Sequence, residues 1–263
     1  MTKKHDKNKN HTSKSKSSND EIRIYGENAC LKVFENRPED IIQLHFSKSI
    51  TQKSPELLRK LTTYLASNKK AYHMISRDEL SLLTKATHHE DITLLVKSKK
   101  QIKLPDYLKL KKESSLLILI EDVSNPHNIG AMIRTAAHFG VDGIIMTAKK
   151  MAETASSIRV SEGGFEHVNL FEVNEFKATL NELKKLNYQI ITTSSHAKKT
   201  LHELKWSKKA VIVFGQEADG ITEDLLKLGD SIKIDGTNHV ESLNVSVAAS
   251  IMMYDYFSKI KLR

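Results

Sequence analysis

The sequence predicts an α/β protein, in which a mostly parallel, three-layer α/β domain follows a smaller α/β domain. Three observations carry that expectation. Residues 116–122, LLILIED, form a continuous apolar run, as in a strand buried on both faces of a parallel sheet. Downstream, strand-like runs alternate with helix-like ones, and each strand-like run ends where a polar loop begins. Upstream lies a second alternating unit, set apart by a Lys-rich stretch interrupted by Pro105.

Composition bounds the class. The chain has 263 residues, enough to bury a full core in one domain or two. With 39% hydrophobic and 28% charged residues it reads as soluble and globular rather than disordered. No run approaches a membrane span and the amino terminus has no apolar signal core, so no membrane association is expected. Cys30 is the only cysteine, which rules out an intrachain disulfide and points to the cytoplasm. Placed between Ala29 and Leu31, it reads as core. No His or Cys residues stand at metal-ligand spacing, so no metal is expected. The net charge of +9 points to a polyanionic partner.

In chain order, residues 1–20 hold six Lys against Asp6 and Asp20, +4 of the total, with no large apolar residue beyond Met1. They read as a disordered basic tail, either an RNA-binding arm or a solubilising extension. Residues 21–96 read as a compact α/β domain. A turn at Gly26 opens a short helix, and IIQLHFS is a strand rich in β-branched and aromatic residues. Leu57, Leu58, Leu61, Tyr64 and Leu65 recur at helical spacing; AYHMIS is a strand, RDELSLLTKA a helix and DITLLVKS a closing strand. Residues 97–115 read as the linker, and residues 116–263 as the second domain.

In that domain VSNPHNIG reads as a loop after the first strand, and AMIRTAAHFG as a helix stopped by Gly140. DGIIMT, YQIITTSS, AVIVFG and SIKID are further strands, and NEFKATLNELKKLN is an amphipathic helix with Phe176, Leu180 and Leu183 on one face. The last stretch, IDGTNHVESLNVSVAASIMMY, passes from a polar loop into a helix of small and apolar residues. Ser242 and Asn244 stand at the junction, where an ordinary helix cap would use the same residue types. In parallel sheets, ligands sit beyond the carboxyl ends of the strands, here the loops at 125–128, 192–195, 215–220 and 235–244. No G-x-G-x-x-G follows the first strand, which excludes a Rossmann dehydrogenase.

NPHNIGAMIRTAAHFG, VFGQEADGIT and VESLNVSVA resemble, in order and spacing, the three motifs of SpoU-type RNA ribose 2′-O-methyltransferases, in the TrmH/RlmB branch of the SPOUT superfamily. Residues 21–96 resemble the substrate-binding domain that precedes the catalytic one in that branch. The resemblance implies a trefoil-knotted catalytic domain, S-adenosylmethionine held in the knot, and a homodimer. It implies catalytic roles for Asn128, Arg134, Glu217, Ser242 and Asn244, with Arg134 binding phosphate and assisting deprotonation of the hydroxyl. Thr193, Gly215, Ile234 and Leu243 fall on the loops that would hold the cofactor. Arg134 follows Gly130 by four residues and so shares its helix face, where glycine leaves room for close approach. Asn128 falls where the helix cap is expected, and a plain surface carboxylate would serve equally well at Glu217.

Two departures from the family pattern stand out. Ile234-Asp235-Gly236 aligns with an Ile-Pro-Met cofactor loop and keeps only the Ile, with Asn238 where Gly is usual. RVSEGGFEHV, residues 159–168, aligns with a Ser-Ala-Gly loop and carries Glu162 for Ala. The implied function is S-adenosylmethionine-dependent ribose methylation of structured RNA, ribosomal RNA in preference to transfer RNA. The other readings are a transfer-RNA enzyme and an RNA-binding protein that has kept the fold without catalysis.

Overall fold

Alternating burial organises the carboxyl-terminal half. In β5 (Ser115–Ile120) every residue is buried. Leu116, Ile118 and Ile120 face one hydrophobic layer, and Leu117 and Leu119 face another. A strand so placed must have helices on both sides, and it does. The computed structural model describes residues 21–215, 220–237 and 239–262; the expected basic tail, Glu217 and Asn238 lie outside them.

The first domain runs β1 (Glu21–Tyr25), α1 (Glu27–Asn36), β2 (Ile41–Phe46), α2 (Ile50–Lys53), α3 (Pro55–Ser67), β3 (Ala71–Met74), α4 (Arg77–Thr84) and β4 (Ile92–Lys97). Its sheet order is β1-β4-β2-β3, with β4 antiparallel to both neighbours and β3 parallel to β2. Ile24, Leu44 and Leu94 share one face and are fully buried with Leu61 and Leu65 of α3. Cys30 is buried in this core, and burial pushes its thiol pKa up. After it, α5 (Leu104–Leu108) packs Leu104 and Tyr107 onto the second layer of the larger sheet.

That sheet follows as β5, α6 (Pro126–His138), β6 (Gly143–Met146), α7 (Ala155–Val160), β7 (Asn169–Glu172), α8 (Phe176–Lys185), β8 (Gln189–Thr193), β9 (Lys199–Thr200), β10 (Lys209–Phe214), α9 (Glu223–Leu226), β11 (Asp230–Lys233) and α10 (Val245–Tyr256). All its strands pair in parallel, in the order β7-β6-β5-β10-β8-β11-β9. Residues of α6, α7 and α10 fill one layer, and those of α5, α8 and α9 the other. The short strands β1, β7 and β9 are not among the runs expected from sequence. They are four or five residues or fewer and are fixed by their partners rather than by pattern.

The two domains share a polar seam. Arg37 donates from Nε and Nη2 to both carboxylate oxygens of Glu166 at 2.9 and 3.1 Å, with both side chains nearly out of water. Lys99 donates from Nζ to the carbonyls of Phe165, Glu166 and Val168. Burial pushes this ammonium down to about 8, against the opposing charge of Glu166. Asn28 donates to Glu162 at 2.6 Å. The RVSEGGFEHV segment, which departs from the family pattern at Glu162, is therefore where the first domain rests. Its adjacent glycines divide the task. A Cβ on Gly163 would strike the Lys32 side chain of α1, and one on Gly164 would sit 3.1 Å from the Arg134 Cα and the Ile133 carbonyl of α6.

Candidate active site

The site is built on α6 and α10, which lie side by side at the carboxyl end of the sheet. The helix α6 begins at Pro126, not after Gly130 as the sequence suggested. Proline suits a first helical position because its fixed φ fits and its missing N–H has no partner to lose. The cap is accordingly Asn125, whose Oδ1 accepts from the His127 amide at 2.9 Å. Asn128 is not the cap; it lies inside the first turn, 7% exposed. Asn244 does cap its helix, its Oδ1 accepting from the Ser246 amide and hydroxyl. Its Nδ2 donates to Asn128 Oδ1 at 3.1 Å. Further along, the hydroxyls of Thr135 and Ser250 meet at 3.0 Å. The two helices thus run in register, joined by polar bonds at both points.

Arg134 is exposed on α6, six residues and about 9 Å of helix beyond Asn128 at ~1.5 Å per residue. Gly130 does not open space beside it. It is buried, and a Cβ there would overlap Ser157 and Val160, so this glycine lets α7 close on α6. Ser242 is exposed in the loop before Asn244.

The cofactor-loop candidates gather at the carboxyl ends of three adjacent strands, β10, β8 and β11. Thr193 ends β8 and donates from its hydroxyl to the Val213 carbonyl of β10 at 2.9 Å. Gly215 follows β10; a Cβ there would collide with the Gly220 carbonyl and the Ile221 amide, so only glycine lets the two backbones pass. Ile234 follows β11 and packs on the core. In the loop that carries Leu243, Glu241 lies 3.8 Å from His196 beyond β8. Leu243 is 43% and Val240 70% exposed, apolar side chains left facing outward from the loop after β11. Thr192 Oγ1 is buried with no partner among the described residues. Close backbone, outward apolar side chains and an orphaned hydroxyl fit an adenosyl group, which takes apolar cover on its faces and main-chain partners at its edge.

Sequence reasoning passed over Glu121. Buried at the end of β5, it accepts from the Thr222 amide and hydroxyl, both at 2.9 Å, and so ties down the far end of the loop after β10. The signal was present, as a carboxylate that ends an otherwise wholly apolar strand. No helix among the described residues is long and apolar enough to cross a membrane.

Known proteins resemble this chain along most of its length. Residues 115–254 match the SpoU rRNA Methylase family, and residues 23–102 match the RNA 2′-O ribose methyltransferase substrate binding family. The chain is 34% identical to an uncharacterised tRNA/rRNA methyltransferase, YfiF, of Escherichia coli, over 92% of this chain and 69% of that one. It is 28% identical to the 23S rRNA (guanosine-2′-O-)-methyltransferase RlmB of Nitrosomonas europaea, over 89% and 90%. Among solved structures, the SpoU methyltransferase AviRb of Streptomyces viridochromogenes, crystallised with its cofactor AdoMet, superposes with a TM-score of 0.72 at 17% identity, over 91% and 90%. With its motif loops at the strand ends and both halves matched, the chain belongs to the SpoU family of RNA 2′-O-ribose methyltransferases.

Proposed function

We propose that the chain methylates a ribose 2′-hydroxyl in structured ribosomal RNA, using S-adenosylmethionine, as a cytoplasmic homodimer. The observation that supports it most is the Asn244–Asn128 bond, which joins the third motif segment to the first, on the helix that carries the exposed Arg134. When bound, S-adenosylmethionine supplies an electrophilic methyl group. What the chain must supply is orientation of the ribose oxygen, a grip on the neighbouring phosphate and relief of the hydroxyl proton. Arg134 has the planar fork for the first two, and its guanidinium stays protonated, so its part is to clamp rather than to act as a free base. Asn128 and Asn244 hold the two helix starts at a fixed spacing, and Ser242 flanks them where an anion is favoured. Glu217 enters on its motif match.

Main-chain groups at Thr193, Gly215, Ile234 and Leu243 would hold the cofactor. Such groups donate and accept whatever the side chain, so Asp235 and Gly236 in place of Pro and Met leave this grip available. Ribosomal RNA is favoured by the two-domain layout, which the chain shares over 89% of its length with the RlmB of Nitrosomonas europaea. The dimer is favoured by α10. Its inner side, Ala249, Met252, Met253 and Tyr256, is buried, yet Val247 and Tyr254 on the outside are 47% and 56% exposed. A helix apolar on both sides suits a second copy of the chain.

Mapping ribose methylation across total RNA from a strain lacking the protein tests the reading. Loss of a ribosomal methyl supports it, and loss of a transfer-RNA methyl moves the substrate. An unchanged map, with a purified protein that still binds S-adenosylmethionine and RNA, leaves an RNA-binding protein without catalysis.

A further inference from the structure

Between the two domains lies a cleft of about 490 Å³. The first domain contributes Lys85 and His88 to its wall, and the second contributes His127, Ser156 and Arg159; no carboxylate among the described residues lines it. Arg159 is itself steadied by Glu90 across the seam at 3.2 Å. One residue of its wall, His127, is next in sequence to Asn128, which bonds Asn244.

The segment Lys85–Asp91 is the unusual part. Lys85, Glu90 and Asp91 all have positive φ, at 53°, 55° and 65°, in a stretch with no glycine. Such conformations cost L-residues free energy and persist only where the surroundings impose them. Here the surroundings are buried polar groups. His89, fully buried, takes the Asp91 amide on Nδ1 at 3.1 Å and meets the Ser81 hydroxyl with Nε2 at 3.1 Å. Asp91, also fully buried, accepts from Ser47 at 2.8 Å and Lys53 at 2.7 Å. Lys85 ends α4 in the left-handed conformation where glycine is the usual residue. A strained loop braced from beneath holds Lys85 and His88 out into the cleft, both exposed.

We propose that this cleft is a subsite for one single-stranded ribonucleotide flanking the methylated position, with its phosphate taken by Lys85 and Arg159 and its base by His88 and His127. The proposal rests on the RNA methyl-transfer reading above. A volume of this size is that of a small-molecule site, far below what a duplex needs. Cations combined with imidazoles and a hydroxyl suit a splayed nucleotide, whose phosphate wants charge and whose base wants a flat ring and edge donors. The amino terminus of α6, beside His127, adds a favourable field for the phosphate.

The test uses the full chain and two fluorescent probes of mixed sequence, a single-stranded RNA of about 12 nucleotides and the matching duplex, lengths within the span of one single-strand site. Lys85→Gly is the informative variant. Glycine relieves the left-handed backbone, so Tm should hold or rise, while single-strand affinity should fall about tenfold, the loss of one charge-assisted phosphate contact. The salt slope should drop by about 0.7 for that contact. His88→Ala should weaken single-strand binding without changing the slope. Duplex affinity and S-adenosylmethionine affinity should stay at wild-type values in both variants. Equal losses for duplex and single strand would show a merely basic face and overturn the proposal, as would unchanged single-strand affinity in both variants. Methyl transfer by the wild-type protein is scored separately. A protein that transfers no methyl yet shows these binding losses keeps the subsite and loses only the enzymatic reading.

Discussion

Asn244 and Asn128 are 116 residues apart in sequence and 3.1 Å apart in space, and the amide of one caps a helix while it bonds the other. Those two duties can be separated. Asn244→Ser keeps an acceptor for the Ser246 amide but is too short to reach Asn128. Calorimetry should find its stability close to wild type, whereas Asn244→Ala should lose about 1–2 kcal/mol with the cap. Methyl transfer should fall in both. Full activity in Asn244→Ser would reduce Asn244 to a cap.

Arg134→Lys should lose roughly a hundredfold in the chemical step, as expected when an attacking oxygen is misplaced by about an ångström. Lysine keeps the charge and loses the planar fork. Folding and S-adenosylmethionine binding should be unchanged, because Arg134 is exposed and its helix is held elsewhere. Single-turnover kinetics at saturating RNA read the effect, and a wild-type rate would show that Arg134 supplies charge alone.

Arg37→Ala should be severe for a residue far from the chemistry. It strands Glu166 in the seam with neither of its guanidinium donors, a loss of about 3–5 kcal/mol for a buried pair. Thermal unfolding should split into two steps as the domains part, and limited proteolysis should cut between them. A single, wild-type-like transition would mean that the packing around Lys99 suffices.

Asp91 sets a dependence on acid. Burial pushes its pKa up, but bonds from Lys53 and Ser47 and the charge of Arg77 prevail and hold it below its ordinary value of 3.8. A carboxyl with a depressed folded value contributes stability above the unfolded value and loses it as pH falls through the folded one. Wild type and Asp91→Asn should therefore differ most near neutrality and converge only as pH falls below 3.8, through the depressed folded value. A gap in Tm that stays constant through that fall would assign the effect to packing.

Tyr254→Asp, on the outer side of α10, should shift sedimentation at micromolar concentration from dimer to monomer, since a buried unpaired carboxylate is costly at an apolar interface. A wild-type protein that sediments as a monomer would remove the dimer instead.

Much of this was legible in the chain, for identifiable reasons. Residues 116–120 could be read as a strand because a segment buried on both faces has no polar alternation to confuse it. Gly215 could be read as a point of close backbone approach, expected toward a cofactor, and the neighbours it meets here are Gly220 and Ile221. The start of α6 was misread, since Pro126 looks like a loop residue until it is recognised as a first helical position. Glu121 and the seam at Glu162 and Glu166 were not legible. Their partners, Thr222, Asn28 and Arg37, are about 100 residues away or more, and no local pattern announces a contact at that separation.

The adjacent glycines at 163 and 164 carry one more consequence. The first abuts α1 of the recognition domain and the second abuts the backbone of Arg134, so the distance between the two is a single peptide bond. Seating of RNA and alignment of the arginine are then hard to separate in time. An ill-fitting RNA that tilts the first domain would tilt α6 with it, and discrimination would appear in turnover rather than in occupancy. Across a series of mismatched RNAs, kcat should spread more widely than KM.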